Sequence, residues 1–206
     1  MFANALRRAL DLSVALAILV GGSPLLLVVA IAVRIRLGSP VLFRQRRLGI
    51  GGQPFDVLKF RTMLDPAPGR EGPEFDAERL PRLGHFLRSA SLDELPSMIN
   101  LLRGDVTLVG PRPLPEQYWP RYRGPEYERF RVKPGVTGLA QINGRNTVDW
   151  DDRLAFDVQY VRTRTLRGDF QILLKTIPVV LARSGVNHAE GVTMHALPAD
   201  RAERAE

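Results

Sequence analysis

Ser91 to Pro113 reads SLDELPSMINLLRGDVTLVGPRP. It sets two adjacent carboxylates, Asp93 and Glu94, at what reads as a helix start, and it ends in the rigid basic turn Pro111-Arg112-Pro113. Two local geometries are open. Ser91 followed by Glu94 fits a capping box, in which each side chain satisfies the other's backbone N–H. Pro96 would then fall inside the helix, where its ring clashes and a ladder bond is lost. Alternatively Pro96 is the first helical residue, and Asp93 and Glu94 lie just outside, facing unpaired N–H groups where an anionic substrate and a cation would meet.

Working outward, Arg103-Gly104 signals the end of that helix, and Val106 to Val109 reads as a short apolar strand. Upstream, Val41–Leu48 and Phe55–Met63 are β-prone runs around Gly49-Ile50-Gly51-Gly52, a β-hairpin. In KFRTM, Lys59 and Arg61 are two residues apart and would share one strand face. Asp65–Glu74 reads as an exposed loop, and Glu78–Ala90 as an amphipathic helix weakened by Pro81 and Gly84. Gln117–Phe130 interleaves aromatics with arginine, a mixture suited to the water–lipid boundary or to single-stranded nucleic acid. Lys133–Gln141 begins with turn residues, Asp151–Thr163 has helical spacing, and Phe170–Leu181 reads as a helix interrupted near Pro178. From Arg183 onward the tail is polar and expected to fray.

Leu12–Val33 carries no charge, and its 22 residues would span roughly 33 Å as a helix. Gly21-Gly22-Ser23-Pro24 interrupts its middle, predicting a break whose freed backbone groups Ser23 partly re-satisfies. Arg7 and Arg8 precede it and Arg34 and Arg36 follow, so charge asymmetry gives no orientation for a single crossing. Both ends on one face, as a re-entrant hairpin, is the simplest solution. A Pro-kinked span and a cleaved signal peptide are the competing readings, the second disfavoured by the length of the apolar run.

The chain has 206 residues, no cysteine and a formal charge of +7, with Lys59, Lys133 and Lys175 the only lysines. Disulfides and thiolate metal sites are thereby excluded. Arginine holds phosphates bidentately, which leaves nucleic acid, anionic lipid or a nucleotide as partners. No GxxxxGK[ST] or GxGxxG loop is present. Sequence-adjacent acids cannot flank a glycosidic bond as opposed acid and base. They can divide labour, one attacking phosphorus while the other helps hold magnesium.

The motifs KFRTM, SLDELP, GDVTLVGPRP, VKPGVTGLAQINGRN and LRGDF, in this order from about Gly22 to Leu181, together resemble the monotopic phosphoglycosyl transferases, also called bacterial sugar transferases. The short length resembles the small initiating members that handle bacillosamine-type diacetamido sugars. The resemblance implies an α+β, predominantly helical fold: a re-entrant membrane helix-break-helix over 1–37, a β-hairpin and compact cytoplasmic catalytic domain over 38–185, and a tail over 186–206. It implies transfer of sugar-1-phosphate from a UDP-sugar, N-acetylated sugars included, to undecaprenyl phosphate with release of UMP, at the cytoplasmic face of the bacterial inner membrane. Asp93 would be the nucleophile and Glu94 its partner, with Glu94 and Asp93 binding Mg2+. Lys59, Arg61, Arg88, Pro111, Arg112 and Arg145 would hold phosphates or nucleotide. Asp169 would support the site, and Ser23-Pro24 would break the membrane helix. Pro81 and Leu139 depart from the family pattern. No nucleic acid beyond the nucleotide is expected; the alternative from a different class is a non-catalytic, membrane-anchored basic module that binds nucleic acid or lipid.

Overall fold

A computed structural model describes residues 2–70, 72, 75–144, 148–181 and 196–201. Helix α1, Phe2–Leu16, passes through a π-helical turn, Ala17–Gly21, into helix α2, Ser23–Arg36, and the pair is bent by 63°. Pro24 sits in the first turn of α2, where its missing N–H costs no ladder bond. The Ser23 hydroxyl donates to the Val20 carbonyl at 2.7 Å, as the sequence predicts. Gly22 is needed because a Cβ there would stand 2.4 Å from the Ile18 carbonyl oxygen. Among the described residues no single helix is long and apolar enough to cross a membrane, but the bent pair is, by length and composition.

The start of α1 is stitched into the body. Arg8 and Asp11 lie one turn apart on nearby faces. Arg8 donates to the carbonyls of Leu101 and Leu102, both at 2.6 Å. The Asp11 carboxylate accepts the Leu108 N–H at 2.8 Å and the Thr107 hydroxyl at 2.9 Å. Residues 1–37 therefore share hydrogen bonds with the region the sequence assigns to catalysis.

Strands β1, Leu42–Leu48, and β2, Pro54–Phe60, form the predicted antiparallel hairpin, in register from Leu42 opposite Phe60 to Leu48 opposite Pro54. The expected helix over 78–90 is split into α3, Asp76–Arg79, and α4, Arg82–Ser89. Proline drives the residue before it out of the helical region, and Leu80 is accordingly extended at ψ 93°. Gly84 lets α4 approach the hairpin's end: a Cβ there would lie 2.0 Å from the Thr62 carbonyl oxygen.

In the stretch that opens at Ser91, neither predicted helix start is realised. Ser91 is left-handed, at φ 56°, and its side chain caps nothing. Leu92–Ser97 winds as a 3₁₀ helix with Pro96 inside it, and α5, Met98–Arg103, begins only afterwards. Proline opposes α-helical winding here, and the chain takes the tighter turn until it has passed. Asn100, fully buried, ties α5 to β2: its Oδ1 accepts the Leu58 N–H at 3.0 Å and its Nδ2 donates to the Asp56 carbonyl at 2.7 Å.

Strand β3, Thr107–Val109, pairs in parallel with β4, Gly135–Thr137. The sequence suggests a turn rather than β4, because three residues leave no period to read. The two segments touch through glycine: a Cβ on Gly135 would lie 2.0 Å from the Gly110 nitrogen. Helices α6, Leu139–Ile142, α7, Trp150–Thr163, and α8, Leu166–Leu181, complete the body, with Pro178 accommodated inside α8.

Two expectations are corrected. The aromatic stretch 117–130 forms two 3₁₀ helices, Glu116–Arg121 and Gly124–Arg131, and sends three of its five aromatic rings into the core. Tyr118, Tyr122 and Phe130 are buried with Leu48, Leu114 and Leu154, while Trp119 and Tyr127 stay partly exposed. The tail does not fray throughout: residues 196–201 return to this cluster, with Leu197 fully buried and Arg121 donating to its carbonyl. Arg201, in the 3₁₀ turn Ala199–Arg201, forks onto Glu126 at 2.9 and 3.0 Å. The 3.6-residue period the sequence lacks here is why neither contact is legible beforehand. Leu197→Ala is expected to cost about 2–5 kcal/mol, read as a lower midpoint of thermal unfolding in detergent; an unchanged midpoint would detach the tail from the core.

Candidate active site

Four elements converge on the dyad. The 3₁₀ helix Leu92–Ser97 supplies Asp93 and Glu94, β2 supplies Lys59, α4 supplies Arg88, and the turn after β3 supplies Arg112. Glu94 Oε1 accepts from Lys59 Nζ at 2.7 Å and from Arg112 Nη2 at 2.6 Å. Asp93 is buried, and among the described residues Lys59, at 3.9 Å, is the one cation within ion-pair range of it. Arg88 Nε donates to the Thr62 hydroxyl at 3.0 Å, and its charge acts on Asp93.

These surroundings drive the neighbouring acids apart. Burial pushes the Asp93 carboxyl up, more than Lys59 pulls it down, and the charge on Glu94 adds to the rise. Burial would raise Glu94 as well, but the Arg112 and Lys59 charges outweigh it and hold that carboxyl well below the usual carboxylate range. Pairs of titratable groups held apart in this way mark a division of roles. Glu94 is the fixed counter-charge. Asp93 has the more basic carboxylate and fewer direct bonds on it.

The cleft beside them is lined by Arg47, Lys59, Glu94, Arg112, Val57 and Val136. Arg47 is a residue that sequence reasoning missed. It donates to the Pro113 carbonyl at 3.1 Å, and burial together with the nearby Arg112 charge pushes its guanidinium down to about 10. Its one signal was the alternation of Gln45 and Arg47 on β1, which puts both on one face; Arg47 Nε donates to Gln45 at 3.1 Å. Lys59, Arg88, Arg112 and Arg47 against Asp93 and Glu94 leave an excess of positive charge, suited to a phosphate-bearing ligand.

The other predicted residues fall as follows. Pro111 is buried, and its carbonyl accepts the Gly135 N–H at 2.9 Å. Arg61 does not share the Lys59 environment, because β2 ends at Phe60; its donors reach the Ser39 and Met63 carbonyls at 2.8 and 2.9 Å and it pairs with Asp65 at 2.7 Å. Arg145 lies outside the described residues. Asp169 is a junction: Oδ2 accepts from Arg7 at 2.6 Å, and the Tyr160 hydroxyl stands 2.7 Å from Oδ1 and 2.8 Å from the Val109 carbonyl. It joins α1, α7, α8 and β3, and none of its hydrogen-bond partners is one of the dyad's.

Among the described residues no group of three or more His, Cys, Asp or Glu side chains could hold a metal ion. Magnesium asks for less, since it is commonly held by one or two carboxylates with substrate phosphates completing the shell. Both cations on Glu94 use Oε1, so the donor set of the dyad is compatible with a cation that arrives with an anionic ligand.

The opposite shifts set opposite expectations for stability. A raised carboxyl means that ionisation costs folding free energy as pH rises from the ordinary Asp value, about 3.9, through the folded value. Asp93→Asn is therefore expected to raise the thermal midpoint at pH 7. The contribution of Glu94 is present above about 4.3 and lost only as pH falls through its depressed folded value. Glu94→Gln should cost about 1–3 kcal/mol at pH 7. Equal losses for the two variants would contradict the division of roles.

Comparison with known proteins returns the description "Bacterial sugar transferase" for residues 2–183. The chain is 42% identical over 188 residues to the uncharacterized sugar transferase EpsL of Bacillus subtilis, covering 91% of this chain and 93% of that one. It is 42% identical over 185 residues to a UDP-glucose:undecaprenyl-phosphate glucose-1-phosphate transferase of Caulobacter vibrioides, covering 85% and 69%. It is 39% identical over 197 residues to an undecaprenyl-phosphate galactose phosphotransferase of Salmonella typhimurium, covering 87% and 41%. With the match extending across the bent helix pair, the hairpin, the dyad and the arginine turn, this chain belongs to the bacterial sugar transferase family.

Proposed function

We propose that the chain transfers sugar-1-phosphate from a UDP-sugar to undecaprenyl phosphate and releases UMP, in two displacements at one phosphorus. The observation that carries this is the unequal dyad: Glu94 is held by two cations, while the buried Asp93 beside it has one cation at 3.9 Å. In the first displacement a carboxylate oxygen of Asp93 attacks the phosphorus bearing the sugar. A P–O bond forms to Asp93, the bond from that phosphorus to the bridging oxygen breaks, and the oxygen leaves with the bonding electrons as part of UMP. In the second, an oxygen of the lipid phosphate attacks the same phosphorus and the Asp93 carboxylate departs. Arg112, Lys59, Arg88 and Arg47 would stabilise charge as it moves onto the leaving phosphate.

Asp93 and Glu94 would hold Mg2+ together with the diphosphate. When bound, it would supply neutralisation of the phosphate oxygens. The relatives named as transferases for undecaprenyl phosphate favour this reaction over a non-catalytic basic module. Those names carry glucose and galactose, so both belong beside the diacetamido sugars as candidate donors. The bend between α1 and α2, with Val20, Val28 and Ile35 exposed, supports a re-entrant hairpin dipping into the inner membrane from the cytoplasmic face.

A two-step reaction predicts isotope exchange between UMP and UDP-sugar without lipid acceptor. A panel of UDP-sugars assayed with detergent-purified protein is expected to give exchange with one or a few donors, and Asp93→Asn to abolish it. Quenched peptides should carry the mass of a phosphosugar at position 93. Persistent exchange in the Asp93→Asn protein would mean another nucleophile. Chelation should stop exchange, and added Mg2+ should restore it.

A further inference from the structure

The turn that carries Arg112 is held at three successive carbonyls. Pro111 accepts the Gly135 N–H at 2.9 Å, Arg112 accepts Arg129 Nη2 at 2.6 Å, and Pro113 accepts Arg47 Nη1 at 3.1 Å. Two of the three anchors are guanidinium groups on other elements. They differ in access: Arg47 lines the cleft, whereas Arg129 has 3% of its surface exposed and cannot meet a substrate.

Arg129 is in turn held by Asp157 on α7. Its Nη2 donates to Asp157 Oδ2 at 2.8 Å and its Nε to the same oxygen at 3.2 Å, while Nη1 donates to the Tyr122 hydroxyl at 3.1 Å. The two side chains are each 2% exposed. Taking both charges out of water costs several kcal/mol per ion before their attraction is counted, and apolar residues of similar volume often serve stability as well or better. Here one acceptor is even wasted, since Asp157 Oδ1 is buried without a partner. Stability does not account for the pair. What an apolar pair could not do is present a planar fork with one Nη2 hydrogen on Asp157 and the other on the Arg112 carbonyl.

We propose that Arg129, oriented by Asp157, is a positioning residue for the reaction. It fixes the Arg112 peptide so that the Arg112 guanidinium bridges Glu94 and the donor's phosphate groups. Arg112 reaches Glu94 Oε1 at 2.6 Å along with Lys59, so a shift of the turn would loosen the counter-charge of the dyad as well as the phosphate clamp. This rests on the transfer reaction proposed above, and it adds to it a pair of residues that touch no reactant.

The test is the double substitution Arg129→Met with Asp157→Leu, which removes both charges together, so that neither is left buried without the other. The expected result is a folded protein with kcat/KM for UMP–UDP-sugar exchange lowered about 10–100-fold, the scale of a misplaced binding group. Adding Arg112→Met to the double variant should cause no further loss beyond Arg112→Met alone, as expected of residues that act through one another. If the double variant fails to fold, Arg129→Lys keeps the charge beside Asp157 without the planar fork, and a folded protein with the same loss of kcat/KM supports the inference. Exchange at the unmodified rate in either folded variant, or losses that multiply with that of Arg112→Met, overturns it. Absence of exchange in the unmodified protein overturns the two-step course proposed above, on which the inference rests, rather than the positioning role alone.

Discussion

The double ion pair on Glu94 is the constraint around which the site is built. One carboxylate oxygen receives both Lys59 and Arg112, so a strand, a 3₁₀ turn and an arginine-bearing loop are fixed at a single point. Such a contact is useful only where each contributor is held independently. Asn100 holds β2 against α5, Arg8 holds the end of α5, and the glycine contacts between Gly110 and Gly135 hold the loop against β4. The Arg112 and Lys59 charges outweigh the cost of burying Glu94 and keep it ionised. They also leave Asp93 as the carboxylate without a firm partner.

The geometry also explains why sequence neighbours can have unlike chemistry. Consecutive residues on a 3₁₀ turn point about a third of a turn apart, and here one points to two cations while the other is buried near the Arg88 charge. Pro96 contributes by keeping the segment out of the α-helical form until Met98. The left-handed Ser91 turns the chain from α4 into the dyad, and brings Arg88 and Asp93 into the same neighbourhood.

Local chemistry was legible in the sequence at several points where a single residue decides the backbone, though not at Ser91 and Pro96. Gly21 to Pro24 announced the break between helices, Gly104 the end of α5, and the glycines of 49–52 the hairpin. That the acids, Lys59, Arg88 and Arg112 form one cluster was legible through the order of motifs rather than any one of them. What could not be read was anything set by distant packing. The parallel pairing of β4 has no period, Arg129 looks like any surface arginine until Asp157 arrives from α7, and Leu197 stands in a stretch with no helical or strand period to mark it as core. The resemblance suggested that Arg61 would join Lys59 in holding phosphate; the end of β2 at Phe60 sends it to Ser39 and Met63.

The hydrogen bonds from Arg8 and Asp11 bear on how the molecule can be handled. Cutting the chain after residue 37 to free a water-soluble enzyme would strip the Leu108 amide of its acceptor and the last turn of α5 of its cap. The bent helix pair is also a structural strut, and a shortened protein would be missing part of its interior.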